Sequence, residues 1–467
     1  MKIAFHGAAR TVTGSKHLVT LKNGTQFLFD CGMFQGMGKE TDELNHDFGF
    51  DPTPIKYLFL SHAHIDHCGL IPRLVKKGFK GRIFCTSGTR DLVEIMLKDS
   101  AKIQMDDAAF LRKRSQKTHT QLEQAPLYDL DDVRDALALF AVVNYNTWIR
   151  IEDGLEVYYA DAGHIIGSTS VHARITENGV TKQLSFSGDV GRYKDIILKS
   201  PQTFPQADFI LIESTYGNSL HEDVFNSPDE LLGWVKKTCI DKKGKLIIPS
   251  FSVGRTQELL YFLNQLSNER QLPQVPIYVD SPLSLEATEV TKKHEDGFNK
   301  RIQNLLKIDS DPFDFPGLTF IESVDESKAL NNDDRPMVII SASGMADGGR
   351  VRHHIFNNIE DARNTILIVG YCEPNSLGGR LMRGAKEVHI FNEYMSVKAE
   401  VGIMRSMSAH GDYDDLCQFL ACQDPSLVDK LFIVHGEYEV QLDFQRSLMK
   451  KGFRDVEIPA LHQEFYL

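Results

Sequence analysis

The sequence predicts an α/β protein in which one layered domain is interrupted by a second one. Three observations support this prediction. Short apolar runs alternate with amphipathic segments of helix length almost throughout the chain. Histidine-bearing turns follow the apolar runs of the first part, and similar turns, SAHGD and VHGE, return near the C-terminus. At 467 residues the chain is too long for one ordinary hydrophobic core, which indicates two domains or more.

The first part of the chain contains several clear strand candidates. Each is a short, β-rich apolar run that ends in a polar residue. They are FLFDCG at 27–32, IKYLFLSH at 55–62, KQLSFSGD at 182–189 and DFILIEST at 208–215. The segment from Leu92 to about Arg114 is predicted to be helical. Because open α/β sheets place their sites beyond the carboxyl ends of the strands, the polar residues there are candidate functional residues.

After Thr215 the pattern starts afresh and predicts a second, parallel sheet with right-handed crossovers. Its strands are predicted at 245–250, 276–280, 337–343 and 365–371, with a helix near 348–358. From about Val397 the sequence returns to histidine-bearing turns. The first domain is therefore predicted to comprise 1–215 and 396–467, and the inserted domain 216–395.

The composition is that of a soluble globular protein, with 42% hydrophobic and 25% charged residues. The net charge of -12 argues against diffuse adhesion to nucleic acid, so a nucleic-acid site needs locally concentrated positive charge. The start of the chain lacks the apolar core of a secretory signal, and no window approaches the roughly 20 apolar residues that span a bilayer. We therefore expect a cytoplasmic protein without membrane association. Seven scattered cysteines, never spaced as CxxC, predict reduced thiols.

The strongest motif is HAHIDH at 62–67, which places three imidazoles and a carboxylate directly after a predicted strand. On an extended turn, His62 and His64 can point to one metal ion while Asp66 and His67 face another. Imidazole and carboxylate ligands without thiolate suit zinc, with manganese or iron as alternatives. Three histidines so close together would be poor choices for a hydrophobic core or a solvated face.

Further ligands must come from elsewhere, because HAHIDH does not complete a site. His164, Asp189 and His435 each lie in a turn beside glycine at the end of a predicted strand. Alone, each would more often be an ordinary turn residue. Together with the motif they predict a site for two Zn²⁺ ions. The predicted ligands are His62, His64 and His164 for the first ion and Asp66, His67 and His435 for the second, with Asp189 bridging both. Asp30, which ends FLFD, is predicted to orient the histidine loop by hydrogen bonds.

HAHIDH with His164 and Asp189 downstream resembles the metallo-β-lactamase superfamily. Further motifs resemble its β-CASP RNA nuclease family: Glu213 in ESTYG matches motif A, His410 in SAHGD motif B and His435 in VHGE motif C. PSFSVGRTQELL, VDSPLS, ISASGMADGGRVRHH and LGGRLMRGAKEVHIF resemble the inserted domain of that family. The similarity covers nearly the whole chain and is strongest to prokaryotic relatives of the endonuclease subunit that cleaves pre-mRNA before polyadenylation.

The resemblance implies a metallo-β-lactamase αββα sandwich with an inserted parallel-sheet β-CASP domain. In the family, histidine at motif C goes with RNA-cleaving members, whereas the DNA-cleaving branch usually carries valine, so His435 favours single-stranded RNA as substrate. A homodimer is compatible with the family. Many archaeal relatives have a KH-type N-terminal extension, whereas this sequence starts on its first strand. RNA capture is therefore expected to depend on the catalytic cleft or on partners.

The expected reaction is hydrolysis of RNA phosphodiester bonds by a hydroxide held between two metal ions, which leaves 5′-phosphate and 3′-hydroxyl ends. We expect cleavage inside the RNA, from its 5′ end, or both. His410 is the candidate proton donor to the leaving oxygen, held and kept protonated by Glu213. With the ligand Asp66, these are the predicted catalytic residues.

Positive charge for nucleic acid appears in the inserted domain, in three turns that combine glycine, serine and arginine before predicted helices. Such turns expose backbone N–H groups, and arginine adds a bidentate phosphate contact. One turn of this kind is more often an ordinary cap, but three in one domain predict phosphate binding with little sequence specificity. The predicted phosphate-binding residues are Ser252, Arg255, Ser343, Gly344, Arg350, Ser376, Gly379 and Arg380.

Two alternative interpretations stay open. The first is another enzyme on the same scaffold: a lactamase, a thioester hydrolase or a DNA nuclease. The inserted domain separates a nuclease from the small-molecule hydrolases, which lack it. The second is a catalytically silent subunit that binds RNA or scaffolds a complex. Such relatives typically have degraded metal ligands, whereas all seven predicted ligands are present here.

Overall fold

The computed structural model describes residues 1–118 and 125–467. These residues form two compact units. Unit 1 consists of Met1–Tyr193, Ser200–Leu220 and His410–Leu467, and unit 2 of Lys194–Lys199 and His221–Ala409. Unit 2 extends beyond residue 395, where the inserted domain was predicted to end, because the strand Glu400–Ile403 pairs in parallel with Thr365–Ile368.

Unit 1 is built on two seven-stranded mixed sheets. In sheet order, the first contains Glu464–Tyr466, Lys2–Phe5, His17–Thr20, Gln26–Phe29, Ile55–Phe59, Arg82–Cys85 and Phe140–Val142. The second contains Val456–Glu457, Lys430–Ile433, Phe209–Ile212, Val180–Phe186, Thr169–Glu177, Leu155–Asp161 and Ile149–Glu152. The strands predicted from the apolar runs are all present, and each ends at or shortly before the polar residues that close its run.

Apolar side chains from both sheets of unit 1 form one shared core. Phe5, Phe29 and Phe59 of the first sheet lie in the same buried cluster as Phe186 and Phe432 of the second. The rings of Phe29 and Phe186 stack with their centroids 5.2 Å apart. The two sheets therefore pack face to face as a sandwich.

Helices cover the outer faces of this sandwich. In unit 1 the helices are Thr41–His46, Ile65–Cys68, Ile71–Lys76, Ser87–Thr118, Leu130–Leu137, Tyr413–Leu420 and Tyr438–Lys450. Leu416 and Phe444 of the last two helices pack in one cluster with Ile212 of the second sheet. The long helix that begins at Ser87 contacts the edge strand Phe140–Val142 of the first sheet. This arrangement confirms the αββα sandwich implied by the resemblance.

Unit 2 contains a six-stranded sheet in which every neighbouring pair of strands is parallel. In sheet order its strands are Leu318–Phe320, Ile277–Asp280, Met337–Ser341, Lys245–Pro249, Thr365–Ile368 and Glu400–Ile403. Its α-helices are Ser227–Val235, Arg255–Asn268, Pro282–Lys293, Lys300–Leu305, Val324–Asn332, Gly349–Asn358 and Leu377–Met382, and Glu387–Ile390 forms an antiparallel hairpin with Glu393–Ser396. The predicted parallel sheet is confirmed.

No helix within residues 1–118 and 125–467 combines the length and the apolar character needed to cross a membrane. The seven cysteines are free thiols. Burial raises the pKa of the Cys31 thiol to about 12, so this thiol stays protonated at neutral pH.

Candidate metal centre

Strand direction brings the predicted site residues of the second sheet together. Asp189, Glu213 and His435 each follow one of three neighbouring strands that are parallel to each other. These strands are Val180–Phe186, Phe209–Ile212 and Lys430–Ile433. Because the carboxyl ends of parallel neighbours meet at the same edge of a sheet, residues far apart in the sequence become neighbours there.

Glycines allow the backbone segments of the site to approach each other closely. A Cβ atom at Gly32 would lie 1.6 Å from the carbonyl oxygen of Asp66, and one at Gly191 would lie 1.9 Å from the carbonyl oxygen of Gly163. Both are far inside van der Waals contact, so no other residue type fits there. The first contact packs the segment after Asp30 against the HAHIDH turn. The second packs the turn of His164 against the segment that follows Asp189.

Three histidine nitrogens form the first ligand group. Nδ1 of His64 lies 3.1 Å from Nε2 of His62 and 3.1 Å from Nε2 of His164. The carboxylate oxygen Oδ2 of Asp189 lies 3.4 Å from Nε2 of His62 and 3.4 Å from Nε2 of His164. These four ligand atoms are close enough together to hold one metal ion.

The second group contains Asp66, His67 and His435. Nε2 of His67 and Nε2 of His435 are 3.1 Å apart, and Oδ2 of Asp66 lies 3.3 Å from the latter. Oδ1 of Asp189 lies 3.1 Å from Nε2 of His67 and 3.5 Å from Nε2 of His435. The two oxygens of Asp189 thus face different groups, which is the arrangement of a carboxylate shared by two ions.

Hydrogen bonds from neighbouring residues hold the ligands by their other ring nitrogens. Nδ1 of His67 lies 2.6 Å from Oδ2 of the buried Asp30. The hydroxyl of Ser61 lies 3.0 Å from Nδ1 of His62, and that of Thr215 lies 3.0 Å from Nδ1 of His435. Each contact fixes a ring orientation with Nε2 directed to the ligand group.

The protonation states of the ligands fit metal ions. Burial lowers the pKa of His62 to about 3 and that of His64 to about 4, so both are neutral at pH 7, the form that binds metals. Burial alone would raise the pKa of Asp189, but the imidazoles of His435, His67 and His62 hold it well below its usual range. This carboxylate is therefore charged.

The buried oxygen Oδ1 of Asp189 forms no hydrogen bond within the part of the chain that the structure describes, although it lies 3.1 Å from His67. A buried, charged oxygen needs a compensating positive group, and in the metal-free chain His67 is the group beside it. Burial lowers the pKa of His67, but the carboxylates of Asp189, Asp66 and Asp30 outweigh it and raise that pKa well above its usual value. The extra proton occupies a position where a metal ion would supply the positive charge.

His410 and Glu213 form a separate pair beside these groups. Nδ1 of His410 lies 3.0 Å from Oε1 of Glu213 and 3.9 Å from Oδ2 of Asp189. The buried Glu213 carboxylate accepts further hydrogen bonds from the backbone N–H groups of Val190, at 2.8 Å, and Thr215, at 3.1 Å. These backbone contacts fix the carboxylate, and the carboxylate in turn fixes the ring of His410.

The electrostatic surroundings of His410 favour its protonated form. Burial lowers the pKa of this imidazole, but the carboxylates of Glu213 and Asp189 raise it to about 9. His410 also lies within metal-binding distance of Asp189 and His435, so a ligand role has to be tested against a proton-donor role.

Among the predicted phosphate-binding residues of unit 2, Arg350 is already bound to protein groups. Its guanidinium donates to Oδ1 of Asp280 at 2.6 Å and to the carbonyl oxygens of Ile321, at 3.2 Å, and Glu322, at 2.6 Å. The fully buried Asp280 also lies 2.6 Å from Nε2 of His354. These contacts give Arg350 a structural role in holding a buried carboxylate.

We expect Arg350→Met to lower the free energy of unfolding by about 3 kcal/mol, because it leaves the buried Asp280 without its main cation while His354 still donates. Urea unfolding followed by circular dichroism measures this change. Arg352→Met on the same helix is the control and should change stability by less than about 0.5 kcal/mol. Unchanged stability with weaker RNA binding would instead indicate phosphate binding by Arg350.

Of the other predicted phosphate-binding residues, Ser252, Ser343, Gly344 and Ser376 lie in turns before helices of unit 2. Arg255 begins the helix Arg255–Asn268, and Gly379 and Arg380 lie within the helix Leu377–Met382. Arg255 is buried and pairs with Glu258, and the Nε atoms of Arg255 and Arg380 are buried without a hydrogen-bond partner in residues 1–118 and 125–467. Local hydrogen bonds involve the remaining polar side chains. Ser376 caps its helix through the N–H of Gly379 at 3.0 Å, Ser252 contacts Ser281 at 3.3 Å, Ser343 contacts Gly348 at 3.4 Å, and Gly344 packs on Phe251.

Ser61 and Thr215 were not predicted as site residues. Both are small hydroxyl residues next to predicted ones, since Ser61 precedes HAHIDH and Thr215 lies two residues after Glu213. Such residues usually cap turns. Thr215 contacts His435, which is 220 residues away, whereas Ser61 contacts its sequence neighbour His62. Their positions in IKYLFLSH and ESTYG, next to predicted site residues, are the sequence signal that could have identified them.

Family models match three parts of the chain. The metallo-beta-lactamase superfamily model matches residues 14–220 and the Beta-Casp domain model matches residues 256–381. A third model, described as a Zn-dependent metallo-hydrolase RNA specificity domain, matches residues 394–459.

Curated relatives match over nearly the full chain. Ribonuclease TTHA0252 of Thermus thermophilus is 35% identical and covers 97% of both chains. An RNase J-like protein of Methanocaldococcus jannaschii is 29% identical and covers 96% of this chain and 95% of its own. Cleavage and polyadenylation specificity factor 73 of Drosophila melanogaster is 28% identical over 97% of this chain and 62% of its own. The chain therefore belongs to the β-CASP RNA nuclease family of the metallo-β-lactamase superfamily.

Proposed function

We propose that this chain is a ribonuclease that hydrolyses phosphodiester bonds of single-stranded RNA at two zinc ions, leaving 5′-phosphate and 3′-hydroxyl ends. The observation that supports two ions most directly is the position of Asp189. Its two oxygens face two separate histidine groups at distances between 3.1 and 3.5 Å. The names of the relatives support RNA as the substrate class.

Each ligand group has a defined part in this proposal. His62, His64 and His164 would hold one ion, Asp66, His67 and His435 the other, and Asp189 both. When bound, zinc, or manganese as the alternative, supplies Lewis acidity and a water molecule whose pKa is lowered to about 7. Asp30, Ser61 and Thr215 orient the histidines that would hold these ions, and burial keeps bulk water away from His62, His67, His164 and His435.

His410 is the proposed proton donor to the leaving 3′-oxygen. Its Nδ1 is bound to Glu213, so Nε2 is the nitrogen whose proton can be transferred. Glu213 acts through His410 as a positioning residue, because its charge keeps the imidazole protonated and its contact fixes the ring. The buried arginine Nε atoms of unit 2 support phosphate binding there, since a buried donor without a partner can be satisfied by an anion.

We expect the zinc-loaded protein to cleave a 5′-labelled RNA at least about a hundredfold faster than a DNA of the same sequence or a chromogenic lactam, because His435 favours RNA. Cleavage should cease when a chelator removes the metal and return when zinc is added. Faster turnover of DNA or lactam would contradict the RNA specificity. Phosphodiester cleavage that persists without metal would contradict the metal mechanism. RNA labelled at either end also separates internal cleavage from 5′-end cleavage.

A further inference from the structure

A turn near the N-terminus lies against the ligand His435. The backbone N–H of His435 donates to the carbonyl oxygen of Ala8 at 2.8 Å, and that of Gly436 donates to the carbonyl oxygen of Thr11 at 3.2 Å. Ala8 and Arg10 both have left-handed backbone conformations, with φ of 48° and 58°. Such conformations are unfavourable for residues with a side chain and persist where the surrounding structure holds them. The turn therefore gives Arg10 a fixed position.

The side chain of Arg10 stacks on an exposed tyrosine. Its guanidinium carbon lies 4.7 Å from the ring centroid of Tyr438, which is 39% exposed. In the sequence Arg10 lies between Ala8 and Thr11, whose carbonyl oxygens bind the N–H groups of His435 and Gly436. Two residues of chain span at most about 8 Å, so Arg10 lies within that distance of both Ala8 and Thr11. Tyr438 follows His435 by three residues and begins a helix. The Arg10–Tyr438 pair thus lies beside the second ligand group, within unit 1.

Stability does not explain this pair. A guanidinium has five N–H donors, and in the part of the chain that the structure describes Arg10 donates one long hydrogen bond, at 3.4 Å, to the carbonyl oxygen of Ile458. A cation–π contact at an exposed position contributes little free energy. Here the arginine that forms the contact has an unfavourable, left-handed backbone conformation. Glu437 and Glu439, the exposed sequence neighbours of Tyr438, carry negative charge that would disfavour a polyanion. Arg10 supplies the positive charge that could bind a phosphate at this position.

The chemistry of the pair matches a nucleotide of a single strand. A planar guanidinium binds phosphate with two parallel hydrogen bonds. An exposed aromatic ring stacks on a base, and this contact accepts any base because each has a π-face. An arginine and a ring in contact can thus bind one phosphate and the base next to it.

We propose that Arg10 and Tyr438 form a nucleotide subsite beside the metal centre, where the guanidinium binds a phosphate that flanks the scissile one and the ring stacks on the adjoining base of single-stranded RNA. This subsite rests on the proposed ribonuclease function. It contributes to substrate binding and takes no part in proton transfer or metal binding.

Arg10→Gln and Tyr438→Leu test the subsite. Each should raise KM for a 20-nucleotide RNA on the order of tenfold, with a smaller change in kcat, since each removes one binding contact. In Arg10→Gln the slope of log affinity against log salt should fall by about 0.7, the value for one phosphate contact on a single strand. Tyr438→Phe should restore KM to near that of the wild type, because phenylalanine keeps the ring.

Arg174→Gln is the matched control, because Arg174 also stacks on an aromatic ring of unit 1, with its guanidinium 3.9 Å from the centroid of Trp148. It should leave KM and the salt slope unchanged. An unaltered salt slope in Arg10→Gln, or equal KM values for Tyr438→Leu and Tyr438→Phe, would overturn the subsite. Wild-type protein that hydrolyses bis(p-nitrophenyl) phosphate but leaves RNA intact would instead overturn the ribonuclease function, so the two failures differ.

Discussion

Replacing Asp189 by alanine is expected to abolish RNA cleavage and to remove both metal ions. Each ligand group would lose its shared carboxylate oxygen, at 3.4 Å from His62 and 3.1 Å from His67. Two dications so close together repel each other strongly, and the bridging charge offsets that repulsion. We therefore expect the rate to fall by more than about a thousandfold, which exceeds the loss from removing a single preorganised donor.

Metal analysis after dialysis measures the first half of this prediction, with about two zinc ions per chain expected for the wild type and close to none for Asp189→Ala. Asp153→Ala is the control, because the Asp153 side chain is 92% exposed and belongs to neither ligand group. Circular dichroism shows whether both variants are folded. A folded Asp189→Ala protein that retains two zinc ions would show that the carboxylate does not bridge them.

The residues of the two candidate ligand groups could be proposed from the sequence because two local signals coincide in them. Each has a side chain that binds metals, and each lies just after an apolar run that reads as a strand. The parallel order of the strands then brings Asp189 and His435 to one edge of the sheet, although they are far apart in the chain. The same apolar runs predicted the α/β fold class, whereas the resemblance of the motifs to a known family implied the αββα sandwich.

Partners in ion pairs and the edge strands of the unit 2 sheet could not be predicted in the same way. Arg350 follows a glycine-rich turn that suits phosphate and lies at the start of a helix, but its guanidinium meets Asp280, which is 70 residues away at the end of a strand. No local pattern says which carboxylate an arginine will meet. The strands Leu318–Phe320 and Glu400–Ile403 occupy the two edges of their sheet and are largely half-buried or exposed, so they lack a continuous apolar run. The same limit hid the contact between Arg10 and Tyr438.

His410→Ala is expected to retain both metal ions and to lose most of the activity, with kcat falling about a hundredfold to ten-thousandfold. This variant removes the proposed proton donor, whose Nδ1 is bound to Glu213 at 3.0 Å and which belongs to neither of the two principal ligand groups. Zinc content and single-turnover cleavage of RNA measure the two effects separately. Loss of one zinc ion would show that His410 binds metal together with Asp189 and His435.

The pH dependence of cleavage tests the same assignment through charge. Since nearby carboxylates raise the pKa of His410 to about 9, the protonated donor is present below that pH and disappears above it. Metal ions on Asp189 would offset its share of this effect, so the wild-type kcat/KM should decline at a pH no higher than about 9, and His410→Ala should lack this decline. Glu213→Gln keeps a hydrogen-bond acceptor for the ring but removes the charge that raises its pKa, so its decline should begin at lower pH. Glu213→Gln removes a negative charge beside His410 and must therefore lower the pKa of this imidazole. If Glu213→Gln and wild type declined at the same pH, the proton donor would have to be a group other than His410.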